Sequence, residues 1–263
     1  MSTESIQKSQ SIYIQDVIEQ GALRTCFQPI VSLKQNPPEV LGFEALTRGP
    51  RKSQYESPLK LFDQAEKENC LYQMERMARK YAMKRFSDQF QKCQKLFINL
   101  DPNIIYDPSI RRGNTIQFME EFNVSQNQII FEVTERNEIK DHDAMRQALE
   151  HYRKQGFRVA IDDVGTGYSN LELIARLRPE FVKIDMSIVR DIHCNQSHSY
   201  LVETISDFAN RIDANLIAEG IECKEELEAL RSFGIQFGQG YFLGKPTPGI
   251  SLSRSDPATP PSI

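Results

Sequence analysis

Short runs of apolar and β-branched residues recur along this chain. Each closes on polar residues and gives way to a longer segment where apolar positions return every third or fourth residue. The runs are CFQPIVSL (26–33), LGFEALTR (41–48), LFINLD (96–101), IIFEVTE (129–135), RVAIDDV (158–164), FVKIDM (181–186), ANLIAEG (214–220) and FGQGYFL (237–243), which predict eight strands. Between them, helical spacing covers 58–91 (two helices), 115–123, 142–155, 170–177, 196–212 and 223–233. Leu201, Ile205, Phe208 and Ile212 mark the expected core-facing stripe of one such helix. The strand runs are nearly continuous in hydrophobicity, as in parallel sheets covered on both faces.

One connection breaks the alternation. Only KQNPPEV (34–40), with two prolines, joins the first two runs. A parallel crossover needs about a dozen residues or more, so these two strands pair as an antiparallel hairpin. The expected fold is α/β, a (β/α)8 TIM-like barrel with an antiparallel first strand. Its predicted limits are residues 25–247. Residues 1–24 form an N-terminal extension with a short helix at 10–22, and the Ser-, Pro- and Thr-rich 248–263 reads as a disordered tail or the start of a linker.

Composition narrows the function. The 263 residues suit one barrel of this kind. Thirty-two Lys and Arg against 36 Asp and Glu, a formal charge of −4, argue against a polymeric nucleic-acid partner, which would need a basic face. The five cysteines (Cys26, Cys70, Cys93, Cys194, Cys223) form no CxxC pair, so free thiols in a reducing cytoplasm are expected. No uncharged apolar run approaches about 18 residues, so no membrane insertion is expected. There is no secretion-signal pattern at the N-terminus.

The segment VAIDDVGTGYSN (159–170) carries the chemical question, because two adjacent carboxylates, Asp162 and Asp163, end an apolar strand. In parallel barrels chemistry sits where strands emit their C-terminal ends. There the other runs place Glu44, Asn99 and Asp101, Glu132 and Glu135, Lys183, Glu219 and Gln239. Acids gathered at one mouth repel each other unless cations lie among them. Oxygen donors suit Mg²⁺ or Mn²⁺; zinc is disfavoured because none of the four histidines falls at a strand end. Consecutive strand residues point to opposite faces, so Asp163 reaches the site only if the strand bends, which Gly165 and Gly167 make easy. Two ions about 3.5–4 Å apart fit in-line displacement at phosphorus, with Lys183 orienting or deprotonating water and Arg48 clamping a phosphate oxygen.

These residues resemble the EAL-domain cyclic di-GMP phosphodiesterases. Glu44-Ala45-Leu46 followed by Arg48 is the naming run. FQPI (27–30), NLDP (99–102), FEVTE (131–135), IDDVGTGYSN (161–170), VKID (182–185), AEGIE (218–222) and QGYFLGKP (239–246) accompany it in order. The resemblance implies a barrel with one antiparallel strand, two Mg²⁺ or Mn²⁺ ions, and hydrolysis of cyclic di-GMP to linear pGpG. It implies metal ligands at Glu44, Asn99, Glu132, Asp162, Asp163 and Glu219, and catalysis by Glu44, Asp163, Lys183 and Glu219. Substrate contacts fall at Gln28, Leu46, Arg48, Glu222 and Gln239. A regulatory loop of Glu135, Gly165, Thr166, Gly167 and Tyr168 would link the metal site to a homodimer interface. Val164 departs from the family's usual phenylalanine, and Asn170 from its usual serine.

Two other functions compete with an active enzyme. A catalytically silent cyclic di-GMP receptor would typically have lost metal ligands, and none is lost here. An enolase-like barrel also gathers acids and a lysine, but the 26–48 hairpin and Arg48 point away from it. Lys183 and Asp185 alternate on one strand face and could instead be a buried ion pair, and Tyr241 and Phe242 suit either barrel packing or base stacking.

Overall fold

The computed structural model of the chain describes residues 13–35, 39–89, 93–101, 114–134, 142–165 and 171–249. Its strands are β1 (Arg24–Ser32), β2 (Val40–Arg48), β3 (Lys95–Leu100), β4 (Ile129–Thr134), β5 (Arg158–Val164), β6 (Phe181–Ile184), β7 (Asn215–Ala218) and β8 (Phe237–Gly238). They close into a barrel in chain order. β1 runs antiparallel to both β2 and β8, and every other pair is parallel. The hairpin expectation thus holds, with Gln28 opposite Glu44.

Helices α2 (Pro58–Lys67) and α3 (Leu71–Ser87) follow β2, α4 (Asn114–Phe122) follows β3, and α5 (His142–Lys154) follows β4. Then come α6 (Leu171–Leu177), the short α7 (Met186–Val189), α8 (Gln196–Arg211) and α9 (Lys224–Ser232). The lead-in helix α1 (Ile14–Glu19) is docked: Ile14 and Val17 are buried with Leu61, Ala65 and Met74 of α2 and α3. No helix among the described residues is long and apolar enough to cross a membrane.

Two expectations are corrected. The eighth strand was expected over 237–243 but pairs only at Phe237–Gly238. Gly240 then lies against the Ile221 backbone, so closely that a Cβ there would sit 2.2 Å from the Ile221 nitrogen and oxygen. The chain turns at once, leaving Tyr241 and Phe242 exposed rather than packed in the barrel. On α8 the buried line is Val202, Ile205, Ser206 and Ala209. Leu201, one helical step of about 100° from Val202, is exposed at 42%, while Phe208 and Ile212 pack only at the edge of the core.

Inside the barrel, Ile30, Phe97, Ile130, Ala160, Phe181 and Ile217 form an apolar plug. Phe97 and Phe181 meet edge to face, with centroids 5.5 Å apart. Outside it, a larger apolar cluster seats the helices.

Candidate active site

The strand period of two builds the site directly on that plug. Two residues beyond Phe97, Ile130, Ala160, Phe181, Ile217 and Phe237 stand Asn99, Glu132, Asp162, Lys183, Glu219 and Gln239. On the reversed β1 the same step runs backwards, from Ile30 to Gln28. Glu44 on β2 completes the ring.

Lys183 is its centre. Its Nζ lies 2.8 Å from Glu132 Oε1, 2.8 Å from Glu219 Oε1, 3.1 Å from Asp162 Oδ1 and 3.5 Å from Glu44 Oε2. Lys183 and Glu132 are wholly buried. Asp185 is not among these partners; its carboxylate instead accepts the Ser187 N–H at 2.8 Å and caps α7. Asn99 Nδ2 donates to Glu44 Oε1 at 3.3 Å and to Glu132 Oε2 at 3.5 Å. Gln239 Nε2 donates to Glu44 Oε2 at 2.6 Å and to Gln28 Oε1 at 3.1 Å, and Gln28 Nε2 donates to the Gly244 carbonyl at 3.1 Å.

The strand bends, as expected, and the bend lies at Asp163 itself, with φ +59°. Pairing with β6 shifts between Ile161 and Val164, opposite Val182 and Ile184, so Asp162 and Asp163 together face Lys183 alone. This bulge cancels the alternation, and Asp162, Asp163 and Glu219 each offer a carboxylate oxygen within 4.8 Å of the others. Val164 is buried in the core at 2% exposure. Gly165 has φ +109°, and a Cβ there would strike Ile188. Glu135, Thr166, Gly167, Tyr168 and Asn170 lie outside the described residues.

The electrostatics are those of a site short of positive charge. Burial pushes Glu219 up to about 8 against the pull of Lys183, and Asp162 and Glu44 push it further. Burial likewise raises Asp162 and raises Glu132 well above the carboxylate range. Burial also acts to raise Glu44, but Lys183, Gln239 and Asn99 outweigh it and hold it low. Desolvation works against the Lys183 ammonium, yet the four carboxylates outweigh that and raise its pKa well above 10.5. In this metal-free arrangement Lys183 holds its proton among the carboxylates that surround it.

A divalent cation fits these residues. Fully ionised, five carboxylates and one ammonium leave four negative charges in one layer. Glu132 Oε1 and Asp162 Oδ1 are buried without an aligned hydrogen-bond donor, Lys183 reaching them only as an ion pair. The donor set is oxygen throughout, which suits hard cations.

Above this layer opens a cavity of about 740 Å³, a size typical of small-molecule sites. Gln28, Glu44, Leu46, Arg48, Asn99, Asp162, Asp163, Glu219, Glu222 and Gln239 line it, with Glu132 and Lys183 beneath its floor. Arg48 Nη1 donates to the Thr47 carbonyl at 2.9 Å. Exposed Glu222 pairs with Arg190 at 3.3 Å.

The sequence reading missed Glu75 and Arg79 on α3, which line the same cavity and are 7% and 4% exposed. The signal was present: both lie on the helical stripe shared with Ala82, Met83 and Phe86. A charged pair at core positions is unusual.

Residues 13–246 match the EAL domain family. The chain is 33% identical over 158 residues to "Probable cyclic di-GMP phosphodiesterase PdeA" of Escherichia coli (strain K12), covering 60% of this chain and 22% of that protein. It spans about half or less of the first curated relatives it matches. Among solved structures, Klebsiella pneumoniae BlrP1 in a calcium/cyclic di-GMP complex superposes with TM-score 0.79 at 31% identity, covering 87% of this chain and 57% of that one. A standalone EAL protein of Vibrio cholerae O395 in its cyclic di-GMP-bound form gives TM-score 0.77 at 29% identity, covering 87% and 94%.

Proposed function

This chain belongs to the EAL domain family, and from that premise we propose that it is a metal-dependent phosphodiesterase. It hydrolyses cyclic di-GMP to linear pGpG in the cytoplasm, with two Mg²⁺ or Mn²⁺ ions, and works as a homodimer. The observation that carries this reading is the oxygen-donor layer around Lys183, complete in every carboxylate and open to one cavity.

Glu44, Asn99, Glu132, Asp162, Asp163 and Glu219 would hold the cations. Bound there, divalent cations supply the Lewis acidity that acidifies water and draws charge from a phosphate. Gln28, Leu46, Gln239 and Glu222 seat the substrate, and Arg48 offers a planar fork to a phosphate oxygen. The Lys183 ammonium balances the acids and orients the attacking water. Glu135, Gly165, Thr166, Gly167 and Tyr168 would form the loop that ties this layer to the dimer interface. The barrel over 25–247, with α1 packed on it, acts as one domain.

The test is product analysis by chromatography with Mg²⁺ or Mn²⁺ present and then chelated. Conversion to pGpG that stops on chelation and in Glu44→Ala is expected; binding without turnover in either metal would instead favour a silent receptor. Light scattering reads the dimer, and a fully active monomer would refute it.

A further inference from the structure

The cavity extends past the acidic layer to a second wall formed by α2 and α3. That wall is apolar at Leu59, Phe62 and Leu71 and small at Ala78 and Ala82. Arg79 sits in it, 4% exposed. Among the described residues its guanidinium makes no hydrogen bond; its one ion pair is to Glu75 Oε2 at 3.6 Å, beyond hydrogen-bonding distance. Glu75 is committed on its other side, where Oε1 accepts the Asp101 N–H at 3.1 Å, while Oε2 is buried with no donor. A buried guanidinium with uncommitted donors is costly unless a ligand uses them. Glu75, tied to the end of β3, is the charge that holds the Arg79 guanidinium at this wall.

We propose that Arg79, held by Glu75, is a base-specificity residue, giving its paired donors to the O6/N7 edge of one guanine of the cyclic dinucleotide. The inference rests on the proposed substrate. Arginine's fork matches two adjacent acceptors on guanine. Adenine offers one acceptor and, in place of O6, an amino donor that faces the cation unfavourably. The flat apolar wall suits a purine face, whereas a phosphate would meet there the unpaired Glu75 oxygen.

The experiment measures equilibrium binding of cyclic di-GMP and cyclic di-AMP in calcium by calorimetry, beside cyclic di-GMP turnover in magnesium. Arg79→Met should weaken cyclic di-GMP binding on the order of tenfold to a hundredfold and leave cyclic di-AMP nearly unchanged, so the preference collapses. Arg79→Lys, which keeps a charge beside Glu75 but not the fork, should lose most of the preference while staying folded. Equal weakening of both ligands, or an unchanged ratio in both variants, would overturn the inference and leave Arg79 as a counter-ion for Glu75. Wild-type binding without turnover would instead strike the catalytic reading alone.

Discussion

Lys183 Nζ and Glu132 Oε1 lie 2.8 Å apart, and neither side chain reaches solvent. An ion pair this deep is kept at a cost in desolvation, and removing one member strands the other. With four carboxylates around one ammonium, Lys183 is the internal counter-ion of the metal-free site. Lys183→Met should therefore lower stability by about 3–5 kcal/mol in chelator, read as a fall in Tm. Millimolar Mg²⁺ should restore more stability to the variant than it adds to the wild type. An unchanged Tm in chelator would refute the counter-ion role.

Acidity should act on stability and on cation binding in opposite directions. Glu219 is raised from 4.5 to about 8 and Glu75 to about 7, each chiefly by burial. A carboxyl whose folded pKa is raised contributes stability that is complete below its unfolded pKa. That contribution is lost as pH rises through the folded value. Metal-free protein should thus lose stability between about pH 4.5 and 8. Cation binding needs the ionised form and should tighten over the same range. Urea melts in chelator and Mg²⁺ titrations across pH check both trends, and a flat pair of profiles would contradict them.

The left-handed backbone at Asp163 separates geometry from charge. Asparagine accepts φ near +60°, so Asp163→Asn should fold with a Tm close to wild type. Asp163→Val should lose about 1–2 kcal/mol. Both should lose turnover by about tenfold to a hundredfold, since each removes the negative charge of a cation-binding carboxylate. Turnover near wild type in Asp163→Asn would take this residue out of the cation site.

Gly240 is where the chain must pass the Ile221 backbone. Gly240→Ala should cost about 1–3 kcal/mol and raise KM, because Gln239 precedes it and would shift from Glu44 and Gln28. Gly234→Ala is the control: its φ is +76° but no atom lies within 4 Å of the added carbon. It should cost about 1–2 kcal/mol through backbone strain alone, with KM unchanged. Equal KM in the two variants would argue that Gly240 matters for folding alone.

Much of this was legible in the sequence because a strand's alternation is strict. Once Phe97, Ile130, Ala160, Phe181 and Ile217 are read as facing inward, the polar residue two places on must face the same axis, and so each ligand candidate could be placed. The short 34–40 link fixed the direction of β1 by length alone. Three features were missed, the first two because contacts between separate elements set them. The bulge depends on how β5 meets β6, so the glycines drew attention away from Asp163. β8 stops early because Gly240 meets Ile221 from the preceding loop. Glu75 and Arg79 reach the cavity from a helix, where the inward face is not marked by strand ends.

The reversed β1 has a topological consequence. In an all-parallel barrel the polypeptide enters at the pole opposite the reactive end. Here Arg24, the first residue of β1, pairs with Arg48, the last of β2, and Thr247 bridges to Phe27. Both covalent continuations of the barrel therefore start at the rim of the cavity. The N-terminal continuation is taken up at once by α1, so the segment leading into the barrel is anchored to the same two helices, α2 and α3, that wall the cavity.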